Sequence, residues 1–201
     1  MEVVLASASP RRLALLEQVG VAAQVCPADF EEEAGQAAVA RELALHNAVG
    51  KCRAVVAAKG DAVPVIAADT IVVVDEAILG KPRDAEEAVA MLARLSGRKH
   101  EVLTAVAVAC AGKEIARVCA TEVFFRELTK AEIAAYVAMG EPLDKAGAYG
   151  VQGPGSIFVE RVEGNYFNVI GMPIPLLYQM LREAKALPGS LQAALPHPLR
   201  T

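Results

Sequence analysis

The stretch Val65-Ile66-Ala67-Ala68-Asp69-Thr70-Ile71-Val72-Val73-Val74 decides how we expect the chain to fold. It is rich in β-branched residues and apolar on both faces, which is typical of a central strand in a sheet, and it predicts a strand over 63–74. Asp69 interrupts the pattern, and a buried carboxylate is costly unless it is paired or binds a metal. Two interpretations of Asp69 stay open: a structural hydrogen bond to a neighbouring loop, or a catalytic or metal-binding group at a cleft.

Upstream of this segment, the sequence predicts two short strands and two helices. Residues 3–5 and 22–27 read as strands. Ser9 is a good N-cap and Pro10 suits the first position of a helix that ends at Gly20. A longer helix is expected over about 39–58, in which Gly50 is a weak point because glycine is a poor helix former.

Downstream, helices and hairpins alternate. Asp84 is expected to cap a helix that ends at Gly97, and Thr129 with Glu132 forms a capping box for another. Strands are predicted over 101–110 and 115–126, and a second hairpin over 158–162 and 166–170. Pro173 starts the last predicted helix, which ends near residue 186. This order predicts a mixed α/β fold in a single domain over 1–187, with a loose proline-rich tail over 188–201.

Composition excludes several classes of protein. The chain has 201 residues, 54% of them hydrophobic, and a net charge of −4, so it can bury a core and is not disordered as a whole. Its pI near 5.5 argues against a general nucleic-acid surface. No apolar window is long enough to span a membrane. Arg11-Arg12 and the apolar residues after them faintly resemble a twin-arginine export signal, but Glu17 interrupts the apolar stretch that such a signal needs. We therefore expect a cytoplasmic protein.

The cysteines and histidines give no metal-binding pattern. Cys26, Cys52, Cys110 and Cys119 are scattered in apolar contexts, and we expect buried free thiols. The three histidines form no zinc motif.

Besides Asp69 and Thr70 in the central strand, three segments carry polar groups suited to phosphate chemistry. Arg11 and Arg12 lie in the first turn of a helix, where positive charge is unfavourable unless an anion joins them. Their alternative role is to face solvent or to pair with the acidic run 31–33. Lys81 follows the central strand in a Gly-Lys-Pro turn, and a glycine-dense loop over 140–153 carries Lys145 and Gln152. Such cations and carboxylates suit a phosphate ester or anhydride with Mg²⁺. The residues alone predict no more than a phosphate-handling enzyme.

The order of these motifs resembles the Maf family over roughly residues 3–184. The motifs are Ser7-x-Ser9-Pro10-Arg11-Arg12-x-x-Leu15-Leu16, Glu31-Glu32, Ala68-Asp69-Thr70, Gly80-Lys81-Pro82, Gly140-Glu141-Pro142-x-Asp144-Lys145-Ala146-Gly147-Ala148-Tyr149-Gly150-x-Gln152-Gly153 and Asn168-Val169-x-Gly171-x-Pro173. The resemblance implies a twisted mixed sheet flanked by helices, in two lobes around a central cleft. It also implies a nucleoside triphosphate pyrophosphatase that releases a nucleoside monophosphate and pyrophosphate.

The resemblance further implies roles for ten residues. Expected as catalytic are Asp69, Glu32, Lys51 and Lys81. Expected to bind substrate are Ser7, Arg11, Arg12, Thr70, Lys145 and Gln152. Glu32 and Asp69 are expected to hold Mg²⁺ or Mn²⁺, and a homodimer is expected because family members are often dimers. Thr70 and Gln152 make the chain similar to the dTTP/UTP branch, because the 7-methyl-GTP branch carries Gln and Glu at these positions.

Two further interpretations stay open. The chain could bind nucleotide without turnover as a regulator of cell division, or hydrolyse modified or non-standard nucleotides instead. A pure binding protein would have little use for Asp69, which favours an enzyme.

Overall fold

The computed structural model describes residues 2–36 and 39–194. Its strands are β1 (Val3–Leu5), β2 (Ala23–Val25), β3 (Val65–Val74), β4 (Ala77–Leu79), β5 (Lys99–Cys110), β6 (Lys113–Phe125) and β7 (Val159–Glu163). They form one seven-stranded sheet in the order β2-β1-β3-β5-β6-β7, with β4 paired to β3. β1 runs parallel to β2 and β3, whereas β3, β5, β6 and β7 pair antiparallel in turn. The expected mixed sheet is therefore confirmed.

The predicted central strand is present as β3, which begins at Val65. Its alternating side chains enter two cores, with Ile66, Ala68 and Val72 on one face of the sheet. Ala67 and Ile71 lie on the opposite face. Burial on both faces is the reason for the nearly continuous apolar sequence.

Helices cover both faces of the sheet. They are α1 (Pro10–Gln18), α2 (Ala40–Lys59), α3 (Ala85–Leu95), α4 (Lys130–Ala138), α5 (Tyr166–Ile170), α6 (Ile174–Glu183) and α7 (Gly189–Ala194). On one face, α2 packs through small residues such as Ala44 and Ala48, which let the helix lie close to the strands. On the other face, the core includes Leu16 of α1, Leu92 of α3 and Leu181 of α6.

Two of the three predicted helix caps form as expected. The Asp84 carboxylate accepts a hydrogen bond from the Glu87 backbone N–H at 2.8 Å. Thr129 and Glu132 form the complete capping box at the start of α4. Ser9 occupies the N-cap position of α1, but its side chain makes no capping bond.

The second predicted hairpin is wrong in its second half. Residues 166–170 form helix α5, while β7 pairs with β6. The Asn165 side chain caps this helix by accepting from the Asn168 N–H, and Gly171 ends it with φ 115°. A five-residue apolar run fits a strand or a helix equally well, so its flanking residues decide.

The C-terminal tail also departs from expectation where it is described. Residues 189–194 form α7, and the Ser190 hydroxyl donates to Glu2 Oε2 at 2.7 Å. This contact joins the tail to the start of β1. The other predicted tail residues, 195–201, lie outside the described residues.

All four cysteines are free thiols, as predicted, but only Cys52 is buried; Cys26, Cys110 and Cys119 are partly exposed. Among the helices in the described part of the chain, none has the length and apolarity needed to cross a membrane.

Candidate active site

A cleft of about 810 Å³ opens beside the sheet. The start of α1, the loop before α2 and α2 itself line it, together with β3, the turn after β4 and the glycine-dense loop. All ten predicted site residues line this one cleft: Ser7, Arg11, Arg12, Glu32, Lys51, Asp69, Thr70, Lys81, Lys145 and Gln152. The structure thus brings together residues that are dispersed along the chain.

The centre of the cleft is an ionic cluster around Lys51. The Lys51 ammonium lies 2.6 Å from Asp69 Oδ1 and 2.6 Å from Glu32 Oε1. Lys51 is 8% exposed and Asp69 5% exposed, so both charges lie largely out of water. A buried charge is stable only beside an opposite charge, and Lys51 and Asp69 provide that charge for each other. Asp69 is therefore paired, but with a lysine of helix α2 and not with the neighbouring loop that the first interpretation named.

Glu32 reaches this cluster from a loop without regular secondary structure. Partial burial opposes its ionisation, but the hydrogen bond and charge of Lys51 outweigh this and lower the pKa of Glu32. The charges of Lys81 and Arg12 act in the same direction. Glu32 is therefore ionised at neutral pH.

Arg12 holds the neighbouring part of the cleft through three hydrogen bonds. It donates to the Gly171 carbonyl at 2.9 Å, to Ser7 Oγ at 3.0 Å and to Thr70 Oγ1 at 3.1 Å. Burial lowers the pKa of Arg12, and the charges of Asp69 and Glu32 oppose that change. A guanidinium stays protonated in such a setting. Arg12 thus presents a fixed positive charge beside Asp69.

Arg11 joins α1 to the glycine-dense loop across the cleft. Its guanidinium lies 2.8 Å from Asp144 Oδ2, and Lys145 Nζ lies 2.6 Å from Asp144 Oδ1. Burial opposes ionisation of Asp144, but the bonds from Lys145 and Arg11 outweigh it and lower its pKa to about 2. The Asp144 carboxylate thus lies between the positive charges of Arg11 and Lys145, where an anionic ligand could also bind. Arg11 is thus paired with Asp144 and not with the acidic run 31–33. Arg12 is partly buried, and from that run only the charge of Glu32 acts on its pKa.

Lys81 and Gln152 lie on the exposed wall of the cleft. Lys81 follows β4, and Gln152 ends the glycine-dense loop. Neither is buried, so both side chains are accessible to a ligand in the cleft.

Two polar residues in or beside the site were not among those predicted from the sequence. Asn47 of α2 donates to Asp69 Oδ2 at 3.5 Å. Thr104 of β5 lies beside Thr70, with their hydroxyls 3.1 Å apart. Asn47 could have been found from its position one helical turn before Lys51. Thr104 could not, because it depends on which strand pairs with β3.

Two carboxylates converge at the centre, and this donor set fits a hard divalent cation. Mg²⁺ is commonly held by one or two carboxylates together with substrate phosphates. Within residues 2–36 and 39–194, no group of three or more His, Cys, Asp or Glu side chains could hold a metal alone. Glu32 and Asp69 would therefore hold the metal together with phosphate oxygens.

Comparison with known proteins agrees with this arrangement. The family model described as "Maf-like protein" matches residues 2–184. The chain belongs to the Maf family. The match covers every predicted site residue and every motif on which the resemblance was based.

Named relatives in this family extend the comparison. A dTTP/UTP pyrophosphatase of Anaeromyxobacter dehalogenans is 50% identical over 185 residues, covering 90% of this chain and 93% of that protein. One of Aquifex aeolicus is 47% identical over 193 residues, covering 94% of this chain and 99% of the relative. One of Shigella dysenteriae is 45% identical over 183 residues, covering 91% and 93%.

Solved structures show the same fold at lower sequence identity. The Staphylococcus aureus Ham1 protein aligns with a TM-score of 0.53 and 16% identity, covering 92% of this chain and 100% of its own. The likeness supports the expected Maf architecture, and it carries no information about activity.

The glycine-dense loop of this Maf protein is fastened to the sheet by His100. Its Nε2 lies 2.8 Å from the Tyr149 hydroxyl, and the two rings meet edge to face at 5.3 Å. Phe125 packs against both rings. His100 is 2% exposed, and its Nδ1 is buried with no hydrogen-bond partner among the described residues. Burial lowers the pKa of His100 to about 4, so it stays neutral at neutral pH.

This low pKa predicts acid sensitivity. The unfolded chain binds a proton near the ordinary histidine pKa, whereas the folded protein resists it until about pH 4. Stability is therefore lost as the pH falls from about 6.5 towards 4. Between pH 7 and pH 5 we expect His100 to account for a loss of about 2 kcal/mol in the free energy of unfolding. Urea denaturation of wild type and His100→Phe at both pH values measures it.

The variant His100→Phe should lose this part of the pH dependence, whatever its stability at pH 7. His46→Gln, which changes an exposed histidine, is the matched control and should keep the loss. An equal loss in wild type and His100→Phe would contradict the assignment.

Proposed function

We propose that this Maf protein hydrolyses dTTP and UTP between the α and β phosphates, releasing dTMP or UMP and pyrophosphate. The observation that carries the proposal is the Lys51–Asp69–Glu32 cluster at the centre of a cleft lined by further cations. The names of the relatives supply the substrate class, since they are dTTP/UTP pyrophosphatases.

The cations of the cleft suit a triphosphate. Arg11, Lys81 and Lys145 line the cleft, and Arg11 and Lys145 now share the carboxylate of Asp144. A triphosphate can replace that carboxylate with several anionic oxygens. Bound phosphate then brings the negative charge that these side chains would stabilise in the transition state and on the leaving pyrophosphate.

Glu32 and Asp69 would hold Mg²⁺ or Mn²⁺. When bound, such a cation offsets negative charge on the phosphates during an in-line displacement. The two carboxylates reach one point from different elements, and Lys51 occupies that point in the free protein. A cation held there would compete with Lys51 for both carboxylates, so Lys51 would give up that point and supply its positive charge to the phosphates.

Asp69 would also accept a proton from the attacking water. Its Oδ1 is bound to Lys51, whereas Oδ2 has the longer contact of 3.5 Å with Asn47. Oδ2 is therefore the better acceptor of the two oxygens. A general base must have an oxygen within hydrogen-bond reach of the water, and Asp69 lines the cleft as this requires.

Selection of the base is proposed for Arg12, Thr70 and Gln152. Arg12 and Thr70 hydrogen-bond to each other, and Ser7 binds the same guanidinium. The Gln152 amide offers both a donor and an acceptor, which match O4 and N3–H of a pyrimidine. A carboxylate in its place would accept from a guanine-type N–H instead.

We also propose a cellular setting and partners for the protein. Four free thiols are typical of a reducing compartment, so we propose the cytoplasm. The net charge of −4 disfavours DNA or RNA as a ligand. A homodimer remains a proposal from the family resemblance.

The proposed function is tested with a panel of nucleoside triphosphates in Mg²⁺ or Mn²⁺. Chromatography that separates pyrophosphate from orthophosphate should show pyrophosphate with dTMP or UMP, and slower turnover of ATP, GTP and CTP. If a modified nucleotide is hydrolysed faster than dTTP and UTP, modified nucleotides would replace these two as the proposed substrates. Tight binding with no turnover of any triphosphate would contradict the enzyme and favour a regulator.

The role of Asp69 predicts the effect of Asp69→Asn. This change keeps the shape of the side chain but removes its charge and basicity, and turnover should fall by at least about 100-fold. The matched control is Asp75→Asn, the same chemical change at an exposed aspartate that pairs with Arg98. Steady-state rates are compared after circular dichroism shows both variants folded. A wild-type rate in Asp69→Asn would contradict the assignment.

A further inference from the structure

The loop that carries Glu32 has no regular secondary structure over residues 26–36. The Glu32 side chain is 56% exposed, and its ion pair is with Lys51. An ion pair in which one partner is so exposed contributes little free energy of stabilisation. It cannot by itself hold a loop without regular secondary structure in one position. The position of Glu32 must therefore come from contacts on either side of it.

The first such contact is between Phe30 and Gly50. A Cβ atom on Gly50 would lie 2.2 Å from Phe30 Cε2 and 2.3 Å from Cζ. The ring therefore occupies the space that any other residue at position 50 would need. This explains a glycine in the middle of α2, where helix propensity favours almost any other residue.

The second contact is between Glu33 and Asn47. The Asn47 Oδ1 accepts from the Glu33 N–H at 2.9 Å, and its Nδ2 donates to the Glu33 carbonyl at 3.1 Å. Asn47 is 3% exposed. Both backbone groups of Glu33 are thus satisfied by one buried amide, which fixes the residue directly after Glu32.

The third contact is between Gly35 and Leu43. A Cβ atom on Gly35 would lie 3.1 Å from Leu43 Cδ2, so the loop backbone passes close to the helix here too. Leu43, Asn47 and Gly50 are spaced four and three residues apart, which places them on one side of α2. We call these three residues the docking face.

Loop residues 30, 33 and 35 contact helix residues 50, 47 and 43. The loop therefore runs antiparallel along the docking face. This direction sets Glu32 opposite Lys51, the neighbour of Gly50 in sequence.

We propose that Asn47 and Gly50 are positioning residues that hold Glu32 in place for metal and phosphate. The inference rests on the proposed function, in which Glu32 is one of the two metal-holding carboxylates. Gly50 acts through the Phe30 ring, and Asn47 acts through the backbone of Glu33. Because Asn47 also donates to Asp69, Gly50→Ala is the variant that tests the loop alone. Their loss should weaken metal use rather than the fold.

The test compares Gly50→Ala and Asn47→Ala with Val49→Ala, a change at the neighbouring position of the same helix. Hydrogen exchange followed by mass spectrometry reports the order of residues 30–35 without any nucleotide. Gly50→Ala and Asn47→Ala should exchange faster in this segment, while the rest of α2 is unchanged. Helix propensity alone would instead make Gly50→Ala the more stable protein.

The functional readout is the Mn²⁺ concentration that gives half-maximal hydrolysis of UTP. It should rise about 10- to 100-fold in Gly50→Ala and Asn47→Ala, the range typical for groups that orient a metal ligand. Val49→Ala should match the wild type. The double variant Phe30→Leu/Gly50→Ala, which shortens the side chain that an alanine would strike, should recover part of the loss.

Three outcomes separate the proposals. Unchanged exchange over residues 30–35 in both variants would overturn the docking of the loop. Faster exchange with an unchanged Mn²⁺ requirement would overturn the positioning of Glu32. A wild-type protein that hydrolyses no triphosphate would overturn the proposed function and, with it, the positioning role.

Discussion

The structure of the site depends on one constraint: a lysine ammonium at the foot of the cleft must be neutralised. Lys51 meets Asp69 and Glu32 at 2.6 Å each, and these groups come from a helix, a strand and a loop. Lys51 and Asp69 are buried, and burying either charge unpaired is so unfavourable that α2 and β3 have to meet here. The loop that carries the more exposed Glu32 is held at the same place by its contacts with α2. The same arrangement leaves two carboxylates and a cation side by side, which is what a metal-assisted phosphate reaction needs.

A second theme is that anionic side chains occupy places suited to phosphate. Asp144 is shared by Arg11 and Lys145, and Asp69 and Glu32 share Lys51. These internal pairs neutralise charges that the cleft would otherwise hold unpaired. Phosphate binding would therefore be an exchange, because Arg11, Lys145 and Lys51 each already pair with a carboxylate that the phosphate would have to replace.

The central strand and its functional aspartate could be predicted from the sequence, because the apolar run of β3 is typical of a buried strand and Asp69 interrupts it. The ten site residues followed from motifs that resemble a family, and the structure brings them to one cleft. Their convergence could not be derived from spacing alone, because it depends on strand order. Helix α5 was missed because its five residues fit a strand equally well, and the Arg12 hydrogen bonds depend on the turn that Gly171 makes after it. Helix propensity disfavours glycine at position 50, but the Phe30 ring fills the space that a side chain there would need, and the sequence does not show that contact.

The most direct test of the central claim removes the charge at the point where the elements meet. The measurement is the saturated rate of UTP hydrolysis by Lys51→Gln, at a temperature where its circular dichroism matches the wild type. Glutamine keeps a hydrogen-bond donor near Asp69 but supplies no positive charge to the phosphates. We expect the saturated rate of Lys51→Gln to be lower than that of the wild type by about 100- to 1000-fold, the usual effect of losing one group that stabilises transition-state charge. A rate within a few-fold of the wild type would contradict it.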